Sequence, residues 1–233
     1  TVTWRTLSGE VGRGKVVPIT GDTGSFWFFS DDNLELMIKV LDGRALNGHW
    51  WVYYASLSQV AYELLVEDTA TGQILRYENE AGTFASRGDI RAFPEAPSTN
   101  PTITTTLATI GEIATTVAPR SDVDCGVPDT LCFHDGRFAV TVSWRAFDGT
   151  SGVGVPVPLA GDSGAFSFFD SENLELLVKI LDGQSINGRW WVFYGSLSNV
   201  GYTLTVRDLE TGVVRTYENE VGTFASRGDT AAF

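Results

Sequence analysis

Short stretches of this chain alternate between hydrophobic and polar positions, as β-strands with one buried face do. Residues 137–145 place their apolar side chains on one face, and so do residues 34–40, where Glu35, Met37 and Lys39 form the opposite face. Asp-Gly, Asn-Gly and Thr-Gly pairs separate such stretches and mark turns. Neither half of the chain carries a long amphipathic helical pattern. The alternation therefore predicts an all-β meander.

The chain contains two copies of one module. Residues 1–93 align with residues 141–233 at a constant offset of 140, and 53 of the 93 aligned positions are identical. About seven short strands in each copy, with turns every 8–12 residues, are typical of an immunoglobulin-like β-sandwich. A small β-barrel is the alternative. We predict two tandem immunoglobulin-like β-sandwich domains.

The predicted boundaries divide the chain into three parts. Residues 1–93 form a first repeat with a truncated first strand, 94–124 a Pro/Thr-rich linker or extended arm, and 125–233 a second repeat that begins with a disulfide loop. Within 102–117, four apolar residues fit both a helical spacing and one face of a strand: Ile103, Leu107, Ile113 and Val117. The threonine content favours a strand or an extended arm.

The two copies differ at their start. The second copy has CGVPDTLCFHDGRFAV before TVSWR, whereas the first copy begins directly at Thr1. A cloning or proteolytic boundary is one explanation. The other is that a neighbouring chain, or the 102–117 arm, completes the sheet by strand addition, since an unfilled edge promotes association.

Two cysteines, Cys125 and Cys132, lie close together. With His134 they make only three of the four ligands of a structural zinc site, and their spacing does not match the redox motif Cys-x-x-Cys. A disulfide is the simplest interpretation, and it indicates an oxidising compartment. We therefore expect an extracellular or cell-surface protein with no bound metal and no cofactor.

Charge and hydropathy narrow the possible partners. The net charge is −13 and the chain has three lysines, which disfavours binding to nucleic acid or to anionic lipid. No apolar run is long enough to span a membrane. We expect self-association or another extracellular protein as partner, with a glycan as a further candidate.

The sequence GDSG at residues 161–164 is found around the nucleophilic serine of trypsin-like proteases. Its counterpart in the first copy has Thr23 in place of Ser163, and neither copy carries both a serine here and a histidine of its own to activate it. Gly, Asp and Ser are also common turn residues. We expect Ser163 to lie in a turn, and we predict that the chain is not an enzyme.

An aromatic strand recurs as WWVYY at residues 50–54 and WWVFY at 190–194. Neighbouring strand residues point to opposite faces, so one face carries Trp51 and Tyr53, and Trp191 and Phe193 in the second copy. These side chains can stack on sugar rings or pack against protein. They are the candidate ligand or interface residues.

Two further motifs carry little functional information. Acidic stretches at 30–35 and 170–175 supply too few oxygen ligands alone for calcium and are expected to be solvated turns. Arg-Gly-Asp occurs at 87–89 and 227–229, where we expect a polar turn before the last strand.

The motifs of the second copy resemble a known kind of repeat. Cys-x6-Cys-Phe, GRFAVTVSWR, GDSGAFSFFD, NLELLVKILDG, NGRWWVFYGSLSNV and DTAAF together resemble a tandem repeat module of uncharacterised secreted bacterial proteins. The resemblance implies an extracellular modular role and brings no catalytic residues. We expect a structural or adhesive surface module, such as a filament subunit assembled by strand addition; a carbohydrate-binding module is the alternative.

Overall fold

Residues 1–95, 125–126, 128–159 and 161–233 are described by a computed structural model of the chain. The predicted arm residues Ile103, Leu107, Ile113 and Val117 lie outside these ranges. We call residues 1–95 the first repeat and the described part of 125–233 the second repeat.

The first repeat consists of two antiparallel sheets. Its outer sheet has the order β2-β1-β7-β8 and its inner sheet the order β3-β4-β5-β6-β9. The strands are β1 (Val2–Arg5), β2 (Val11–Arg13), β3 (Lys15–Pro18), β4 (Thr23–Trp27), β5 (Leu34–Asp42), β6 (His49–Ser56), β7 (Ala61–Glu67), β8 (Ile74–Asn79) and β9 (Ser86–Pro94), with helix α1 (Arg44–Asn47) between β5 and β6.

The second repeat has the same architecture with one additional strand, β10. Its outer sheet has the order β10-β11-β17-β18, with β12 also paired to β11, and its inner sheet the order β13-β14-β15-β16-β19. The elements are β10 (Leu131–Phe133), β11 (Phe138–Arg145), β12 (Ser151–Val153), β13 (Val155–Pro158), β14 (Ser163–Ser167), β15 (Leu174–Gly183), α2 (Gln184–Asn187), β16 (Arg189–Ser196), β17 (Gly201–Asp208), β18 (Val214–Asn219) and β19 (Ser226–Asp229).

Each repeat buries its main core between its outer and inner sheets. In the second repeat, Phe138, Val140 and Val206 of the outer sheet pack against Val178 and Ile180 of the inner sheet, and all five are fully buried. These residues alternate with polar ones along their strands, which is why the sequence pattern identified them. The all-β prediction is confirmed: the described chain forms β-sandwich repeats, and none of its four sheets closes on itself.

The two inner sheets also pack against each other, so that four sheets are stacked. A separate apolar cluster lies between them, which we call the seam. Its buried residues are Met37, Ala55 and Leu57 of the first repeat and Ala165, Leu174, Leu177, Phe193 and Leu197 of the second. Both faces of each inner sheet are therefore covered.

The predicted disulfide is present between Cys125 and Cys132, whose Cα atoms are 5.9 Å apart. It closes a short loop that ends within β10, where Cys132 is the middle residue. The two helices of the described residues have four residues each, and neither could cross a membrane.

Candidate functional site

Two features of the described residues are candidates for function: a polar cluster inside the seam and an open edge on the first repeat. The polar cluster comes from the stretches NLELMIK and NLELLVK, residues 33–39 and 173–179. Strands β5 and β15 direct every second side chain of these stretches toward the opposite repeat. Sequence analysis placed Glu35 and Lys39 on the polar face of their strand and did not predict that this face is buried.

The two lysines of the cluster reach across the seam in a symmetric way. Lys39 Nζ donates hydrogen bonds to Oδ1 of Asn173 at 2.6 Å and to the carbonyl of Leu174 at 2.9 Å. Lys179 Nζ makes the same two bonds, to Oδ1 of Asn33 at 2.6 Å and to the carbonyl of Leu34 at 3.1 Å. Each repeat thus binds the amine of the other.

A buried glutamate lies near each amine. Glu35 and Glu175 are each 1% exposed, and one carboxylate oxygen of each accepts a backbone hydrogen bond, from Phe28 and Phe168 respectively, at 2.6 Å. The other oxygen, Oε1, has no hydrogen-bond partner within the described residues. A buried polar atom in that condition is rare and often has a functional reason.

Burial shifts the ionisation of all four groups toward their neutral forms. It raises the pKa of Glu35 and of Glu175 to about 7, and the nearby lysine of the other repeat opposes that rise. It lowers the pKa of Lys39 and of Lys179 to about 8, against the field of Glu175 and Glu35 respectively. A charged group removed from water is penalised, and the neutral form gains.

The open edge of the first repeat becomes visible by comparison with the second. In the second repeat, β11 pairs with β17 from Arg145 to Phe138, and β10 adds a further strand beside it. In the first repeat, β1 pairs with β7 only as far as Val2–Leu64, and the backbone of Thr1 bonds Leu65. No described strand continues beyond Leu65 on that side of β7.

Apolar side chains at this edge are partly exposed, because no described strand covers them. Leu131, Phe133, Phe138 and Val140 fill one end of the second sandwich, and no described residue takes their place in the first. Apolar side chains that line this end of the first repeat are accordingly only partly buried: Ile38, Val40, Trp50, Val66 and Leu75. We call this surface the open edge.

A pair of equivalent glycines shows the same difference. A Cβ atom placed on Gly164 would lie 2.7 Å from the side chain of Leu131, whereas one placed on Gly24 would meet only a backbone oxygen, at 3.6 Å. In the second repeat Trp190 is also covered by His134 and Phe138, with ring centroids 4.5 and 5.0 Å away. These contacts of Leu131, His134 and Phe138 have no counterpart among the described residues of the first repeat.

The candidate aromatic residues lie beside the seam. Phe193 is buried in it and Tyr53 packs against it, with ring centroids 6.1 Å from Phe84 and Phe224 of the opposite repeat. Trp51 is half-buried, and its indole N–H donates to Oδ1 of Asn47 at 3.0 Å.

Trp191 is placed in the same way as Trp51. It is half-buried, donates to Asn187 at 2.9 Å, and its ring lies against the backbone of Gly183. The structure thus brings Tyr53 and Phe193 into contact with the other repeat, while both tryptophans hydrogen-bond within their own repeat and Trp191 also packs against the seam.

Other motifs occupy structural positions. The turn predicted around Ser163 ends at Asp162: Ser163 is the first residue of β14, and its buried hydroxyl donates to the Asp162 carboxylate at 3.1 Å. The prediction of a turn at Arg-Gly-Asp was wrong, because both copies lie within strands β9 and β19, where Asp89 and Asp229 accept hydrogen bonds from tyrosine hydroxyls. Among the described residues, no group of three or more His, Cys, Asp and Glu side chains is arranged to hold a metal ion.

Comparisons of the chain with protein-family models, with curated proteins and with solved structures find no match. Function is therefore inferred from the geometry of the chain itself.

Proposed function

We propose that this chain is a non-enzymatic extracellular structural or adhesive surface module that assembles by strand addition at the open edge of its first repeat. The observation that carries the proposal is the contrast between Val66, partly exposed at this edge, and its fully buried counterpart Val206. An added strand would bury the apolar side chains and pair the backbone of β7 beyond Leu65, which is how β-augmentation gains affinity.

The proposed occupant is residues 102–117 of another copy of this chain. This stretch has sixteen residues, more than the ten of residues 131–140, which cover the equivalent place in the second repeat. Ile103, Leu107, Ile113 and Val117 supply apolar side chains comparable to Leu131, Phe133, Phe138 and Val140. Repeated addition from copy to copy produces a filament, because such a head-to-tail contact does not close on itself.

The extracellular location is supported by the Cys125–Cys132 disulfide, since disulfides persist in oxidising compartments. The resemblance to repeat modules of secreted bacterial proteins supports the same location. The self-association proposed here needs no cofactor.

The test measures the assembly state of the full chain and of a variant that lacks residues 102–117. Light scattering coupled to size-exclusion chromatography, followed by negative-stain electron microscopy, is expected to show multimers or filaments for the full chain and monomers for the variant. An edge variant, Val66→Lys, should also be monomeric, whereas Val153→Lys on the exposed surface of the second repeat should assemble normally. A full chain that stays monomeric at every concentration, or a deletion variant that still assembles, would overturn the proposal.

Carbohydrate binding is the alternative function. It would use Trp51 and Trp191, which are half-buried, because Tyr53 and Phe193 are occupied at the seam. A glycan array probed with the wild-type chain and with the Trp51→Ala/Trp191→Ala variant separates the two functions. Glycan binding that is lost in the variant would favour the alternative.

A further inference from the structure

The chain uses lysine sparingly and places it selectively. Of its three lysines, Lys15 is exposed, while Lys39 and Lys179 stand at equivalent positions and are each 2% exposed. Burying an amine is costly unless its interactions compensate. Two buried lysines in an acidic protein with so few of them call for a specific explanation.

Each buried amine is in contact with an asparagine side chain of the other repeat. Lys39 Nζ lies 2.6 Å from Oδ1 of Asn173. The amide carbon Cγ is bonded to that oxygen at a distance of about 1.2 Å, so it also lies close to the amine. Reactions in preorganised sites begin from separations of about 3–3.5 Å between the reacting atoms. The Lys179–Asn33 pair has the same 2.6 Å contact.

The surroundings favour a nucleophilic amine. Burial lowers the pKa of Lys39 to about 8, so a substantial fraction of the amine is neutral near physiological pH. The ring centroid of Tyr53 lies 5.4 Å from this amine, and that of Phe193 lies 5.3 Å from the amine of Lys179. With these rings beside them, the two lysines are almost entirely removed from water, each being 2% exposed.

A glutamate carboxyl group acts electrostatically on each pair without forming an ion pair or a hydrogen bond with it. Glu175 is the carboxyl group with the largest electrostatic effect on Lys39, and Glu35 is the carboxyl group with the largest electrostatic effect on Lys179. Burial raises the pKa of both glutamates to about 7, and the ionised carboxylate stabilises the positive charge that Nζ gains as it attacks. Their Oε1 atoms have no hydrogen-bond partner within the described residues.

We propose that Lys39 and Asn173, and likewise Lys179 and Asn33, react to form two isopeptide bonds that join the repeats covalently. The Nζ atom attacks the asparagine Cγ, the Nζ–Cγ bond forms, the Cγ–Nδ2 bond breaks, and Nδ2 leaves as ammonia. One proton passes from Nζ to Nδ2, so that Nδ2 leaves as neutral ammonia. The reaction consumes no oxidant, metal or cofactor, and each pair reacts once.

The proposal is independent of assembly by strand addition, because it involves only groups within one chain. Intact-mass measurement of the denatured, reduced full chain is expected to give a mass lower than the sequence mass by two molecules of ammonia. Tryptic mapping should show no cleavage after Lys39 or Lys179 and should yield two cross-linked peptide pairs. A mass equal to that of the unmodified sequence would overturn the proposal.

The twofold arrangement provides matched variants. Asn173→Ala and Asn33→Ala should each remove one cross-link and leave the other, while the double variant should retain the full sequence mass. A cooperative thermal transition of each variant establishes that it is folded. Two ammonia losses that persist in the double variant would overturn the proposal.

Ammonia can also be lost at Asn-Gly sequences through a cyclic succinimide, and the chain has two, Asn47–Gly48 and Asn187–Gly188. Hydroxylamine cleaves a succinimide and leaves an isopeptide bond intact. Mass loss that maps to Asn47 or Asn187, or that hydroxylamine removes, would overturn the proposal.

The role of each glutamate is tested separately. Glu175→Gln should abolish the Lys39–Asn173 link and keep the Lys179–Asn33 link, and Glu35→Gln should do the reverse. A purely structural role would not produce this selective change in mass. Both links forming at the wild-type rate in both variants would overturn the electrostatic role of the glutamates.

Discussion

Lys39 and Asn173 are separated by 134 positions in the chain, yet a 2.6 Å hydrogen bond joins their side chains across the seam. The equivalent bond between Lys179 and Asn33 makes the contact reciprocal. Buried polar groups of this kind are satisfied in only one relative position of the two surfaces, because a shift leaves them unpaired. The pair therefore fixes how the two repeats pack, and it offers several measurable consequences.

The first prediction concerns pH. In the folded chain the pKa of Glu35 and of Glu175 is raised to about 7 from 4.5, so between these values the folded state binds more protons than the unfolded state. The free energy of unfolding should therefore fall as pH rises from 4.5 to 7, by at most about 3 kcal/mol per carboxyl group. Urea denaturation at a series of pH values measures this slope.

The Glu35→Gln/Glu175→Gln variant is the control for that measurement. Its amides do not titrate, so this contribution to the slope should disappear while those of other carboxyl groups remain. Identical slopes in the variant and the wild type would contradict the prediction.

The second prediction concerns backbone approach at the seam. Gly195 stands where the first repeat has Ala55, and a Cβ placed on Gly195 would lie 2.9 Å from the Cβ of Ala55. Gly195→Ala should lower the free energy of unfolding by about 1–3 kcal/mol, since overpacking forces neighbours apart. Chemical denaturation measures the loss.

The exchanged pair is the matched control. Ala55→Gly combined with Gly195→Ala removes the opposing methyl group and should recover much of the lost stability. A double variant that is less stable than Gly195→Ala alone would show that the two positions do not meet at the seam.

The third prediction compares equivalent valines. Val206 of β17 is fully buried beside Val140 of the neighbouring strand β11, whereas Val66 lies at the open edge and is only partly buried. Val206→Ala should cost about 2 kcal/mol and Val66→Ala less than half as much, because less apolar surface is returned to water. Equal losses, measured by urea denaturation under dilute, monomeric conditions, would indicate that the edge is covered in solution.

The fourth prediction concerns the disulfide. The Cys125–Cys132 bond closes a loop with a sequence separation of 7, for which chain-entropy reasoning gives a stabilisation of about 2–3 kcal/mol. Cys125→Ser/Cys132→Ser should therefore destabilise the second repeat. Hydrogen exchange read out by mass spectrometry should show faster exchange in β10 and β11 and little change in β1 and β7. A uniform change over both repeats would contradict a local effect.

The alternation of apolar and polar residues was enough to predict much of the fold. Leu36 and Ile38 identified the core face of β5, and the equivalent Leu176 and Val178 identified that of β15. The near-identity of the copies predicted that both would fold alike, and the two cysteines predicted their own pairing. Strand position and core face are local properties, since the two-residue repeat of a strand depends only on residues that are adjacent in the sequence.

The candidate site could not be predicted in the same way. In the sequence pattern, Glu35 and Lys39 lie on the polar face of their strand, which would be expected to face solvent. Only the packing of the two inner sheets against each other buries them. The recurrence of lysine at 39 and 179 in a chain with three lysines was the available signal. It did not reveal which asparagine each amine would meet.

The sequence by itself determined the all-β class, the duplication and the core face of strands such as β5, β6 and β11. The tertiary structure alone decided that the second face of each inner sheet is also buried, and that Lys39 meets Asn173 there. The physical reason is that alternation records which residues share a face, whereas the partner of that face is set by contacts between residues far apart in the chain. The same reason explains why the open edge is recognised only when Val66 is compared in space with Val206.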